Sequence, residues 1–274
     1  MGSVIDVELA RDAYYTGEVL EGTVVLTLEK AADPRGLTLE FLGRESTAIT
    51  RGSGKHRRTY RSQQDHVNWG LTLLGPGPVA AGVYRFPFRF QIPENALPSY
   101  QGMHAAVAYK LSVRLDIPWW PDTQWSREIF IYYARPSVRQ FAKPFRFVST
   151  GPRHEFFVEL DGDRFFAREL IGCRITVTRL QELNIRRIYV HLTAGEWAQA
   201  QGQQETTQSK SDPISIPAEA MRLGVPFAFE IPIPAGIQSS YRGMYSYCTY
   251  QIQVGLDVPW ATDIVASSPI VVVR

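Results

Sequence analysis

The 22 residues SSYRGMYSYCTYQIQVGLDVPW, Ser239 to Trp260, restate PSYQGMHAAVAYKLSVRLDIPW, Pro98 to Trp119, at a constant offset of 141 residues. Extended to residues 86–119 against 227–260, the two copies agree at 14 of 34 positions without a gap. The parts before them also correspond, more loosely. VELARDAYYTGEVLEG (7–22) parallels VELDGDRFFARELIG (158–172), and LTLEFLGRE (37–45) parallels IYVHLTAGE (188–196). Solenoid units repeat every 20–50 residues or so, far below this offset. The repeat has the size of a domain, and 274 residues suit two domains of ordinary size. A chain that encodes one strand pattern twice is expected to fold it twice, over residues 1–138 and 142–274, joined around RPSVRQFAKP (135–144).

The pattern is that of β-structure. TVVLTLEK (23–30), LTLEFLG (37–43), YRFPFRFQI (84–92), VAYKLSVRLDI (107–117) and SREIFIYYA (126–134) alternate apolar and polar residues with period two. The second half repeats this in HEFFVEL, CRITVTRL, RRIYVHLTA, VPFAFEIPI, CTYQIQVGLDV and PIVVV. Pro and Gly punctuate the junctions. Only PAEAMRLG (217–224) suggests a helical turn. The expected fold class is all-β: two tandem antiparallel β-sandwiches of immunoglobulin-like type.

Composition removes several function classes. Lys and Arg number 29 against 27 Asp and Glu, too even for a protein that holds nucleic acid by a whole charged face. No apolar run approaches 18 residues, and MGSVIDVELARD lacks the apolar core of a signal peptide. With two cysteines, the expectation is a cytoplasmic protein without a disulfide framework.

The catalytic motifs that the residues suggest fail on spacing. RGSGKHRR (51–58) fails as a phosphate loop, since Ile49 and His56 stand where Gly and Ser or Thr are required. His56, His66, His104, His154 and His191 show no zinc-ligand spacing, so no metal or cofactor is expected. Cys173 and Cys248 fall in strands and read as structural thiols. Asp116 and Asp257 could be taken for a glycosidase carboxylate pair, but equivalent places in separate domains favour a strand-end Asp bonded to local backbone. Trp119, Trp120 and Trp260 read as half-buried aromatics at a sandwich end, with a sugar-stacking platform as the alternative.

One feature stands out. RGSGKHRRTYR (51–61) holds Arg51, Lys55, Arg57, Arg58 and Arg61 and no acid, in a stretch expected to be a mobile loop. Its counterpart AQAQGQQETTQSKSD (198–212) is polar but carries one Lys against Glu205 and Asp212. The five cations are the candidate site for a phosphorylated or acidic protein partner, or for an anionic membrane surface.

YYTGEVLEGTVVL (14–26), LEFLGRESTAI (39–49) and AGVYRFPFRFQIPENALPSYQGMHAAVAYKLSVRLDIPW (81–119) resemble, in order, the opening strands of arrestin N-domains. The resemblance runs through both halves and is nearer the α-arrestins, the arrestin-like retromer subunit and bacterial sporulation-control arrestin-like proteins than the visual arrestins. It implies a non-enzymatic scaffold that binds other proteins near a membrane. No Pro-Pro-x-Tyr motif is present, so the ubiquitin-ligase recruitment of α-arrestins is not implied, and the ending PIVVVR leaves no expectation of the regulatory tail of classical arrestins. The competing expectations are a carbohydrate-binding or hydrolytic β-sandwich, and a structural subunit that uses its sheet edges.

Overall fold

The computed structural model describes residues 2–119, 121–134, 144–181 and 184–274. The expected junction between residues 138 and 142 lies outside the described residues. Two compact units are present. Unit 1 comprises Met1–Ala134 with Gln199–Gln203 and Gly243–Tyr245; unit 2 comprises the rest of Arg135–Arg274.

Unit 1 is built from β1 (Ser3–Leu9), β2 (Ala13–Tyr15), β3 (Val19–Leu28), β4 (Gly36–Arg51), β5 (Arg58–Leu74), β6 (Gly82–Gln91), β7 (Tyr100–Gln101), β8 (Ala105–Asp116) and β9 (Thr123–Tyr132). One sheet runs β1-β3-β6 and the other β2-β9-β8-β4-β5, with β7 against β8. All these pairings are antiparallel except β2 with β9. Alternation makes the sandwich: β8 buries Ala105, Val107, Tyr109, Leu111, Val113 and Leu115 and turns the residues between them outward. Phe41 stacks on Phe90 and Tyr109, at 6.0 and 5.8 Å between ring centres. Each fully buried Leu, Ile or Phe contributes roughly 1.5–3 kcal/mol by leaving water.

Unit 2 contains β10 (Phe145–Thr150), β11 (His154–Leu160), β12 (Arg164–Phe166), β13 (Leu170–Leu180), β14 (Arg187–Ala200), β15 (Gln203–Lys210), β16 (Ile214–Pro217), β17 (Phe227–Pro232), β18 (Tyr241–Arg242), β19 (Ser246–Asp257) and β20 (Ile264–Val273). Its sheets run β10-β11-β13-β17 and β12-β20-β19-β14-β15, with β16 on β14 and β18 on β19. No α-helix occurs among the described residues; 217–224 contributes one 3-10 turn at Ala218–Ala220. The chain is therefore all-β, two tandem antiparallel sandwiches.

The repeat is a repeat of hydrogen bonds as well as of letters. The Tyr109 hydroxyl donates to the Leu97 carbonyl at 2.6 Å, and the Tyr250 hydroxyl to Gln238 at 2.9 Å. Ser99 accepts from Ile131 N through its hydroxyl, and Ser240 from Val272 N, each at 2.9 Å. Every one of these positions obeys the offset of 141.

Two of the strands that the sequence pattern missed, β5 and β15, are polar. In β5, one residue of 17 is buried, because this edge strand has water along most of both faces. β15 is likewise half-buried or exposed throughout. Apolar alternation cannot mark a strand that faces no core.

Candidate functional site

The five candidate cations lie at the end of the long β4–β5 hairpin. The expected mobile loop over 51–61 is corrected: Arg51, Arg58 and Arg61 are strand residues, and only 52–57 form the connection. Gly52 (φ 77°) and Gly54 (φ 54°) make that connection possible in the left-handed region, and a Cβ on Gly52 would meet the His56 carbonyl at 2.5 Å. His56 N donates to Ser53 O at 3.1 Å, and Arg57 N to Gly54 O at 3.3 Å.

Register divides the cations. Arg51 stands directly opposite Arg58, so these two side chains share one face of the ribbon. Arg61, opposite Ala48, points to the other face. Arg58 lies over the Tyr60 ring, 5.0 Å from its centre. Lys55 and Arg57 are exposed in the connection. The Arg61 carbonyl accepts from Gln201 Nε2 at 3.1 Å within the same unit. The tip is thus a cluster of Arg51, Lys55, Arg57 and Arg58, with Arg61 apart. Guanidinium groups placed side by side on one face of a ladder present several donors in the same direction.

The counterpart in the second half is no long loop. β14 and β15 meet in the two-residue turn Gln201–Gly202, with φ 49° and 80°, the pair of positive values that a tight hairpin needs. The basic tip has no equivalent there.

The remaining sequence candidates fall elsewhere. Asp257, expected to bond local backbone, instead has its carboxylate held by Arg186 at 2.7 Å and Arg187 at 2.9 Å. Hydrogen bonds from Arg186 lead in keeping that carboxyl below the ordinary carboxylate range, against the opposing effect of burial. Asp116 in unit 1 has a looser contact, 3.6 Å to Arg35. Each aspartate thus pairs with arginine inside its own unit. Cys173 and Cys248 are buried, and burial, helped by Asp161, pushes the Cys173 thiol up to about 12, far from a reactive thiolate. Among the described residues no three His, Cys, Asp or Glu side chains form a metal-ligand set. Trp119 and Trp260, expected to be half-buried, are fully exposed; Trp120 lies outside the described residues.

The sequence reading passed over Glu45. It is completely buried in unit 1, accepts from the backbone N–H of Met244 and Tyr245 at 2.9 and 3.1 Å, and meets His66 Nε2 at 3.2 Å. The alignment of GRE (43–45) with AGE (194–196) was the available signal, since Glu196 is buried too.

Open grooves cross equivalent strands in the two units. One, ≈ 760 Å³, is lined by Glu8, Gly22, Phe88 and Arg89; the other, ≈ 740 Å³, by Glu159, Gly172, Phe229 and Glu230. No helix among the described residues is long and apolar enough to cross a membrane.

Residues 4–133 match the family model for the arrestin (or S-antigen) N-terminal domain. The chain is similar to arrestin domain-containing protein 4 of Mus musculus, 30% identical over 145 residues that cover 47% of this chain and 34% of the relative. It is similar to arrestin domain-containing protein 1 of the same species, at 27% over 39% of this chain and 24% of the relative. Vacuolar protein sorting-associated protein 26 of Caenorhabditis elegans matches at 31% identity over 36% of this chain and 26% of the relative. The matches thus span about a quarter to a third of the length of these curated relatives. Through residues 4–133, this chain is thus similar to the arrestin-like superfamily.

Proposed function

We propose that the protein is a non-enzymatic adaptor that binds other proteins, and that the β4–β5 tip grips an acidic or phosphorylated segment of a partner. The likeness of residues 4–133 to the arrestin N-terminal domain supports the adaptor role. The observation that carries the tip is the direct opposition of Arg51 and Arg58, with Lys55 and Arg57 beside them and no acid from 51 to 61. Arg forks suit bidentate contact with phosphate or carboxylate, and their contribution is charge-assisted. The same reading takes residues 1–138 and 142–274 as the two domains.

The test uses a peptide carrying two phosphoserines, with its unphosphorylated form as control, titrated by fluorescence anisotropy at two salt concentrations. Replacing Arg51, Arg57 and Arg58 together with Ser is expected to weaken phosphopeptide binding by about 1–3 kcal/mol and to flatten its salt dependence. Arg61→Ser, on the opposite face, is expected to change affinity less. Equal affinity of parent and triple variant would end the reading of the tip.

A further inference from the structure

The β4–β5 connection is longer than the fold requires. Unit 2 closes the corresponding β14–β15 hairpin with the two residues Gln201–Gly202, whereas unit 1 uses the six residues 52–57. The extra length consists of Gly-Ser-Gly followed by Lys, His and Arg. All six residues are exposed, so packing gives no reason for them. A longer connection also costs loop-closure entropy.

Ser53 carries the one hydroxyl of this connection. Its backbone is extended, φ −138° and ψ 159°, and its side chain makes no hydrogen bond to the single 3-10 turn, Gly54–His56, that follows. The hydroxyls nearby on the ribbon are engaged. Thr50 and Thr59 bond each other at 3.0 Å, and Ser62 accepts from Gln201 N at 3.3 Å. The Tyr60 ring lies under Arg58. Glycine on each side, at 52 and 54, lets the backbone around Ser53 rotate. Arg51 stands two residues before it, and Lys55, Arg57 and Arg58 stand two, four and five residues after it. No acid occurs from 46 to 64. An exposed serine on a glycine-flanked tip, with cations on both sides in sequence, suits a kinase whose peptide groove is acidic, since kinases select substrates by charge pattern.

We propose that Ser53 is the phosphorylation site of a basophilic serine/threonine kinase, and that its phosphate is then held by the cations of the tip, closing the tip to other anions. The co-substrate is ATP. A bond forms from Ser53 Oγ to the γ-phosphorus, the bridge to the β-phosphate breaks, the hydroxyl proton passes to the kinase's base, and ADP leaves. The tip is shaped to keep that phosphate. A Cβ on Gly52 would touch the His56 carbonyl, so the connection folds back on itself and confines Ser53 between the strand ends that carry Arg51 and Arg58. Phosphoserine brings a charge of about −1.5 to −2 to Arg51, Lys55, Arg57 and Arg58. Tethered in the same chain, it acts at an effective concentration on the order of millimolar, against which a partner's phosphate must compete. The closing of the tip rests on the function proposed above; the modification of Ser53 does not.

The test incubates the full chain with ATP, magnesium and the catalytic domain of protein kinase C, and locates phosphate by mass spectrometry. Ser53 is expected to be phosphorylated, and Lys55→Ser to slow its modification several-fold. Phosphorus NMR then follows, against pH, the resonance that is absent from Ser53→Ala. A phosphate held by Arg51, Lys55, Arg57 and Arg58, with His56 beside them, titrates below the value of about 6 usual for phosphoserine. Arg58→Ser should move it back toward that value. Phosphorylation should weaken binding of the peptide with two phosphoserines about ten-fold, while Ser53→Ala binds it alike before and after kinase treatment. An unmodified Ser53, a phosphate that titrates as free phosphoserine, or peptide affinity unchanged by phosphorylation would each overturn the proposal. If the unmodified parent does not distinguish the phosphopeptide from its control, the function proposed for the tip fails, and the phosphate on Ser53 and its titration still decide this site.

Discussion

Unit 1 closes the turn after β2 with Thr16-Gly17-Glu18, and unit 2 closes the turn after β12 with Ala167-Arg168-Glu169. The backbone hydrogen bonds are the same in both. Glu18 N donates to Tyr15 O and Glu169 N to Phe166 O, each at 3.1 Å; Ile92 N donates to Glu18 O and Ile233 N to Glu169 O, each at 2.9 Å. The glutamate carboxylates return to Tyr15 N at 2.8 Å and Phe166 N at 2.9 Å. Yet Gly17 has φ 83° where Arg168 has φ 71°, so unit 2 holds an arginine where the backbone asks for glycine. The same contrast recurs deeper. Gly43 faces Tyr109 across β4–β8, and a Cβ there would meet the ring at 2.3 Å, while Ala194 faces Tyr250 across β14–β19 and carries its methyl. At the sheet edge, β11 pairs with β10 on the side that β1 leaves as the end of its sheet among the described residues. The comparison teaches that the repeat preserves the hydrogen-bond frame, while side-chain solutions and edges are free to diverge.

The sharpest way to break that comparison is Gly43→Ala. The added methyl has no room beside a completely buried Tyr109, and overpacking of this kind costs about 1–3 kcal/mol. The mirrored change Ala194→Gly opens no clash and should cost about 0.5–1 kcal/mol, the ordinary penalty of glycine in a strand. Denaturant melts of both variants measure the difference, and equal losses would show that the two tyrosines are seated alike.

The turn after β2 and β12 gives a smaller effect of opposite sign in the two units. Gly17→Ala should destabilise by about 1 kcal/mol, because a Cβ at positive φ is strained. Arg168→Gly should be neutral or raise stability by a few tenths of a kcal/mol, as strain relief is partly offset by the freedom glycine gains when unfolded. A loss on Arg168→Gly comparable to that on Gly17→Ala would mean that the arginine side chain holds the turn.

The least effect is expected from the strand-end aspartates, and it depends on pH. The folded Asp257 carboxyl titrates below its ordinary value, so its pairing contributes stability above about pH 4 and loses it as pH falls through the folded value. Asp257→Asn should therefore lower the melting point at neutral pH and leave a shallower acid limb. Asp116→Asn, which breaks only a 3.6 Å contact with a largely exposed arginine, should change the melt less. Identical acid limbs for parent and Asp257→Asn would refute the role of Arg186 and Arg187.

The sequence by itself determined the repeat, the all-β class, the inward faces of β8 and β19, and the one-sidedness of the basic stretch. Each is written in local pattern: alternation marks which residues meet a core, and the offset of 141 marks which positions share a hydrogen-bond frame. Tertiary structure decided the rest. β5 could not be read as a strand because an edge facing water needs no apolar alternation, so Arg51, Arg58 and Arg61 passed for loop residues. Their division between two faces is a matter of register, which pairing sets. The partners of Asp257 are arginines 70 and 71 residues away in the chain, and Glu45 is buried against backbone about 200 residues distant. Trp119 and Trp260 carry no mark of exposure in their neighbours, since a Pro-Trp step suits a buried corner as well as a tip; the direction in which the turn leaves its strand put both indoles in water.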